Sequence, residues 1–202
     1  WLQSYRAMSH PTAAGIGGSV TLKLEGGRLR NDMTYSLVEP NGTVHASTSA
    51  WKGQETSVFA TFDTRSLPAG VYSLVANDGA RNRALSNAVS LVQATPGAVS
   101  YSVSMPRFIR WGQVRRAVVT YRNTGNTDVL VPLITVNAVN GTLTSASMNT
   151  RSAVDFGGVL IQSSTSVQVL GINPDGPAGI LPPGFEGAFY FDVKANTGAP
   201  KV

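Results

Sequence analysis

Residues 117–139, AVVTYRNTGNTDVLVPLITVNAV, set a β-branched or aromatic run on each side of a polar corner, Asn123-Thr124-Gly125-Asn126-Thr127-Asp128. β-Branched and aromatic side chains fit a pleated, half-buried surface, and Asn, Gly and Asp tolerate turn conformations. The stretch reads as two antiparallel strands joined at a tight corner. The same grammar recurs along the chain: apolar residues at every second position, cut into short runs by Gly, Asn and Pro. A period of two sends successive side chains to opposite faces, so each run is a strand with one face for a core. No segment keeps a helical period beyond one or two turns.

Composition agrees. Hydrophobic residues make up 42% of the 202-residue chain, enough for a packed core, while charged residues reach only 13%, against roughly 25% in ordinary soluble domains. Thr, Ser, Asn and Gly supply the polar surface instead, which suits strands and turns over helices. The length allows one large or two small domains. Cysteine is absent, which removes disulfides, zinc-thiolate sites and thiol catalysis from consideration. A net charge of +5 and a pI of about 9.8 permit contact with an anionic polymer without requiring it. No apolar run approaches the roughly 18 residues of a membrane span, and no signal-peptide pattern is present. The chain opens on Trp1 and ends in a soft tail, Ala195 to Val202, the expectation for a processed protein or a piece of a longer one.

After an opening segment with a His10-Pro11 step and a Gly-rich stretch, read as flexible, Val20, Leu22 and Leu24 alternate cleanly with Thr21 and Lys23. Met33, Tyr35 and Leu37 form a second strand, Asn41-Gly42 a turn, and Val44 and Ala46 the return. Val58, Ala60 and Phe62 form a fourth strand, and Tyr72, Leu74 and Ala76 a fifth. Asn77-Asp78-Gly79 turns into 85–92. Short strands at regular spacing with turn signals between them indicate a sandwich of about 90 residues. The segment 94–97, Ala-Thr-Pro-Gly, is the linker candidate. Beyond it Val99, Tyr101, Val103 and Met105 alternate up to Pro106, a basic loop covers 107–116, and the central stretch follows. Pro132 implies an edge, a bulge or a strand start. Weaker strands fall at 143–149 and 159–162, and Val167 and Val169 lead to Gly171. The run 173–184 is a Pro/Gly loop, and Phe189, Phe191 and Val193 close the chain. The expected fold class is all-β, two tandem immunoglobulin-like β-sandwiches, residues 1–94 and 95–202.

The segment 121–128, YRNTGNTD, with Val131-Pro132-Leu133 and the loop 171–184, GINPDGPAGILPPG, resembles bacterial CARDB-like modules, related to cell adhesion. The first half resembles an IPT/filamin-type Ig-like repeat through 18–26 (GSVTLKLEG), 60–63 (ATFD) and 67–72 (LPAGVY). These resemblances imply Ig-like sandwiches from long exported proteins, serving as spacers or binding arms, with no catalytic residues to carry over.

Candidate chemistry is sparse. Arg107, Arg110, Arg115 and Arg116, with Phe108 and Trp111 between them, form a basic, aromatic cluster. Guanidinium groups pair with phosphate or carboxylate, and flat rings stack on sugars or bases. The bland reading is a solvated loop between modules whose Trp packs at their junction. Arg81 and Arg83 would join the cluster if the two modules fold back on each other. Trp1, Trp51, Trp111 and Tyr5 are the aromatics for a sugar face. Asp78 and Asp175 sit in turns that supply too few oxygens for calcium. Only His10 and His45 are available, with no Gly-x-Ser-x-Gly elbow, no HExxH and no phosphate loop, so no enzyme is expected. Lys23 and Lys194 alternate onto polar faces, against an isopeptide cross-link. The Asn-Gly-Thr sequences at 41 and 140 match glycosylation acceptors but are read as turns.

The expected role is therefore a non-catalytic structural or adhesion module of an exported or cell-surface protein, acting as spacer, binding arm or assembly subunit. Its partners would be neighbouring modules, other surface proteins or polysaccharide, or copies of itself through sheet edges. No cofactor, metal, nucleic acid or membrane span is expected. The alternative is a carbohydrate- or anionic-polymer-binding accessory module of a secreted enzyme. Buried Trp51 and Trp111 would favour the structural role, and exposed, coplanar rings the binding one.

Overall fold

The computed structural model describes residues 8–148 and 165–196. Trp1, Tyr5, the strand expected at 159–162 and the end of the tail lie outside them. The strands are β1 (Met8–His10), β2 (Ala13–Gly15), β3 (Ser19–Glu25), β4 (Thr34–Val38), β5 (Val44–Ala46), β6 (Ser49–Lys52), β7 (Ser57–Asp63), β8 (Gly70–Asn77) and β9 (Asn82–Val92). After them come β10 (Val99–Ser104), β11 (Val114–Asn123), β12 (Val129–Leu130), β13 (Leu133–Asn137), β14 (Gly141–Met148), β15 (Ser166–Leu170), β16 (Ile180–Leu181) and β17 (Glu186–Ala195). The fold is all-β, two Ig-like β-sandwiches in tandem. One compact unit comprises Trp1–Ala98, Asn123–Leu130 and Asp175–Phe185; the other comprises Val99–Arg122, Val131–Pro174 and Glu186–Val202.

The first unit stacks a sheet ordered β1-β3-β7-β6 on one ordered β2-β9-β8-β4-β5. This is the immunoglobulin arrangement, with strands B, E and D in one sheet and G, F, C and C′ in the other. The opening strand is shared: β1 pairs antiparallel with β3, and β2 pairs parallel with β9. The segment expected to be flexible is thus paired to both sheets, because its own backbone groups find ladders on each side of Pro11. Val20, Leu22, Leu24, Val58, Ala60 and Phe62 from one sheet meet Tyr35, Leu37, Tyr72, Leu74, Val89 and Leu91 from the other in a single buried cluster. Tyr72, near the start of β8, donates its hydroxyl to the Pro68 carbonyl at 2.8 Å, the tyrosine corner of such sandwiches.

The second face of β3 and β7 is also covered. Thr21 and Phe59, which alternation would place in water, are buried. The segments Asn123–Leu130 and Asp175–Phe185, paired to each other through β12 and β16, supply contacts there. Asp128 bonds Thr21, and a Cβ added at Gly53 would meet the Asp175 carbonyl and the Phe59 ring.

The second unit has a sheet ordered β10-β11-β17-β14 and, among the described residues, a two-stranded sheet of β13 and β15. Ala117, Val119, Tyr121, Phe189, Phe191 and Val193 alternate inward from β11 and β17, joined by Ile134 and Val136 from β13. The Phe189 ring meets Phe191 edge-on at 5.2 Å.

The hairpin expected over 117–139 does not form. β11 pairs with β17, β12 with β16 and β13 with β15. Alternation marks a strand but not its neighbour, and a six-residue polar corner lacks the two-residue turn that fixes a hairpin register. Other bonds hold the corner. The Asn123 side-chain amide donates to the carbonyls of Thr127, Leu181 and Pro182, at 2.8, 3.0 and 3.1 Å. Gly125 lies against Gly97 so closely that an added Cβ would sit 2.5 Å from the Gly97 Cα.

Candidate functional site

The basic cluster falls in the second unit, on the loop between β10 and β11 and on the start of β11. Ile109 anchors the loop by burial in the midst of exposed residues. At its far end the Gly112 amide donates to the Ala195 carbonyl at 3.0 Å, and the Ala195 amide donates to the Gln113 carbonyl at 3.2 Å. Gly112, at φ 73°, takes the left-handed conformation that lets the chain turn into β11. Between these anchors Phe108 is 77% exposed and Trp111 80% exposed. The Arg107 guanidinium lies 5.6 Å from the Phe108 ring centroid, a geometry of weak cation–π attraction at a wet site. Arg107 and Arg110 are exposed.

The other two arginines divide. Arg115 and Arg116 are successive strand residues, so they leave opposite faces of β11. Arg116 lies opposite Asp192 in the β17 register and approaches its carboxylate at 3.5 Å, with its guanidinium 5.8 Å from the Tyr190 ring. Arg115 is exposed and donates to the Val114 carbonyl at 2.9 Å. The structure therefore brings together Arg107, Phe108, Arg110 and Trp111 on one loop and leaves Arg116 engaged on the sheet. Arg81 and Arg83 belong to the first unit, where Arg83 donates to the Gly27 carbonyl at 3.0 Å.

The expectation that a structural module buries Trp51 and Trp111 is not met. Trp51, on β6 in the first unit, is 50% exposed, and Trp111 is the most exposed large apolar residue described. Large rings held in water beside guanidinium groups can stack on a flat ligand face or dock against another protein. The turn readings stand: Asp78 accepts from the Ala80 and Arg81 amides, and Asn77 from the Gly79 amide. Those backbone bonds hold the Asp78 carboxyl below its ordinary range. Among the described residues no cluster of three His, Cys, Asp or Glu side chains has a metal-binding arrangement. His45 meets Glu39 at 2.6 Å at the edge of the first unit.

Sequence reading missed Asp128. Its carboxylate accepts the Thr21 amide and hydroxyl, both at 2.8 Å, and the Ser19 hydroxyl at 3.0 Å, while its own amide donates to the Ser19 carbonyl. Burial pushes this carboxyl above its ordinary value, and the Thr21 and Ser19 bonds oppose the shift. In the second unit burial alone pushes Tyr121 up to about 12, and its hydroxyl donates to the Ile172 carbonyl. Both groups fasten segments together.

No family model matches the chain, and no curated protein matches it in sequence. Among solved structures, an alpha-2-macroglobulin from Salmonella, reacted with methylamine, aligns over 92% of this chain and 12% of its own, at 13% identity and a TM-score of 0.34. A marsupial T cell receptor aligns over 95% of this chain and 88% of its own, at 10% identity and a TM-score of 0.32. The two-domain fragment DIP-gamma IG1+IG2 aligns over 92% and 94%, at 11% identity and a TM-score of 0.30. The chain thus spans about an eighth of the macroglobulin. Likenesses this distant say nothing about what this chain does.

Proposed function

We propose that the chain is a non-catalytic binding and assembly module of an exported or cell-surface protein. It works through the exposed loop of its second unit while the two sandwiches act as a frame. The observation that carries this reading is the display of Phe108, Trp111, Arg107 and Arg110 on a loop pinned by Ile109 and by the β17 backbone. Holding large rings in water forgoes burial free energy, and an anchored loop keeps those rings ready for a partner. The resemblance of the first half to IPT/filamin-type repeats and of the second to CARDB-like modules supports a place among the spacers and binding arms of long surface proteins. No helix among the described residues is long and apolar enough to cross a membrane.

The exposure of Trp111 gives weight to the second reading, an accessory module that binds polysaccharide or an anionic polymer. A pull-down of the chain on insoluble polysaccharides and on isolated cell envelopes, repeated over a salt series, separates the readings. Retention on polysaccharide that persists in salt and is lost in Trp111→Ala marks a sugar site. Retention that falls steeply with salt and is lost in Arg107→Ala with Arg110→Ala marks an anionic polymer. Retention on envelope protein alone supports the adhesion and assembly role. No retention on any of these, in salt low or high, would refute the loop as a binding surface.

A further inference from the structure

Edge strands invite pairing with other chains, and native sheets usually guard them by brevity, charge, proline or a bulge. Among the described residues, the end strands of the three larger sheets are β1 and β6, β2 and β5, and β10 and β14. β1, β2 and β5 are three residues long, and β6 has four and carries Lys52. β14 is broken by a register shift between Leu143 and Ser145. Among the described residues, β10 has none of these guards. It runs for six residues, VSYSVS, without charge or proline. Tyr101 and Val103 stand in water, at 51% and 46% exposure, and Val99 is half-buried.

The sequence of β10 also reads the same in both directions about Tyr101: Val99-Ser100-Tyr101-Ser102-Val103. Pro96 and Pro106 flank it at equal distance and end the run of available amides on each side. Two copies of such a strand pair antiparallel about a two-fold axis through Tyr101 with every position matched. Tyr101 opposes Tyr101, Val99 of one copy opposes Val103 of the other, and serine opposes serine. All the apolar pairs fall on one face, as a sheet requires. A two-fold interface is self-complementary by construction.

We propose that β10 is a homodimerisation edge: two copies of this chain join β10 to β10 in the register centred on Tyr101. The union makes one continuous sheet running β14-β17-β11-β10 and back through the second copy. Main-chain bonds across the new pair supply affinity, and the Tyr and Val pairs fix the register. This rests on the assembly reading above and names its partner as a second copy.

The absence of native cysteine makes the register directly testable. Tyr101→Cys places its thiol opposite itself across the axis, within reach of a disulfide. Val103→Cys, at similar exposure, sets its two thiols about four residues apart along the strands, roughly 13 Å, beyond reach. Mild oxidation should convert Tyr101→Cys to a covalent dimer and leave Val103→Cys monomeric. Sedimentation of the unmodified chain should show a concentration-dependent dimer. Tyr101→Lys, which sets like charges face to face, should raise the dimer dissociation constant about tenfold or more while the melting temperature of the monomer holds. A chain that stays monomeric at high concentration, a dimer indifferent to Tyr101→Lys, or equal cross-linking of the two cysteine variants would each overturn the proposal. Retention on cell envelopes by a strictly monomeric chain would overturn this edge and leave the binding-module reading standing.

Discussion

Asp128 shows how one side chain can tie distant sequence together. Its carboxylate accepts three donors from Ser19 and Thr21 at the start of β3, yet burial still raises its pKa. A raised native pKa means the folded state holds the proton more tightly than the unfolded chain does. The group therefore adds stability on acidification and withdraws it as pH rises from about 4 through the native value. Asp128→Asn keeps an acceptor for the Thr21 amide and removes the charge. Urea midpoints from pH 4 to 7 should show the Asn variant gaining on the native chain as pH rises. A flat difference, or one that shrinks, would contradict the assignment. Exposed carboxyls that are held low, such as Asp63 at about 2 beside Arg65, are common to both proteins and cancel in the comparison. Asp128→Ala, which leaves the Thr21 amide buried without an acceptor, should cost about 1–3 kcal/mol at neutral pH. Tyr72→Phe removes only the bond to Pro68 and should cost about 1 kcal/mol, read from the same midpoints.

Most strands were legible because alternation is a local property. Val20, Leu22 and Leu24, or Phe189, Phe191 and Val193, declare a buried face within seven residues. The short β1, β2 and β6 were not legible, since three or four residues carry too little pattern and owe their conformation to the strands beside them. Pairing was illegible for the central stretch for the same reason: Tyr121 needs β17 beside it, and nothing within 117–139 says so. The basic loop was visible as composition and as a solvated segment, but the exposure of Trp111 was not, because a lone Trp reads more readily as core or interface until the fold is known. Gly125 offers a test of the corner that replaced the hairpin. Gly125→Ala would drive a Cβ into the Gly97 backbone, at 2.5 Å from its Cα and from the Pro96 carbonyl oxygen. Backbone on both sides cannot yield as a flexible side chain can, so the variant should lower the urea midpoint by more than Asp128→Ala does. A variant as stable as the native chain would show that the corner does not approach 96–97.

Across the whole molecule, segments from late in the chain complete the first sandwich. Asn123–Leu130 and Asp175–Phe185 share a compact unit with 1–98, through Asp128 on β3, the Asn126 carbonyl on the Gly15 amide at 2.7 Å, and β12 on β16. The tandem Ig-like plan was expected from sequence, but this interleaving was not, because no local pattern reports which core a polar corner joins. Native-state hydrogen exchange on Phe62→Ala tests it most directly. Phe62 is fully buried between the two sheets of the first unit, and its truncation should cost about 3–5 kcal/mol. Amides in 123–130 and 175–185 should then exchange faster together with those of β3 and β7, by about a hundredfold or more. Protection retained at 123–130 and 175–185 while β3 and β7 lose theirs would contradict it.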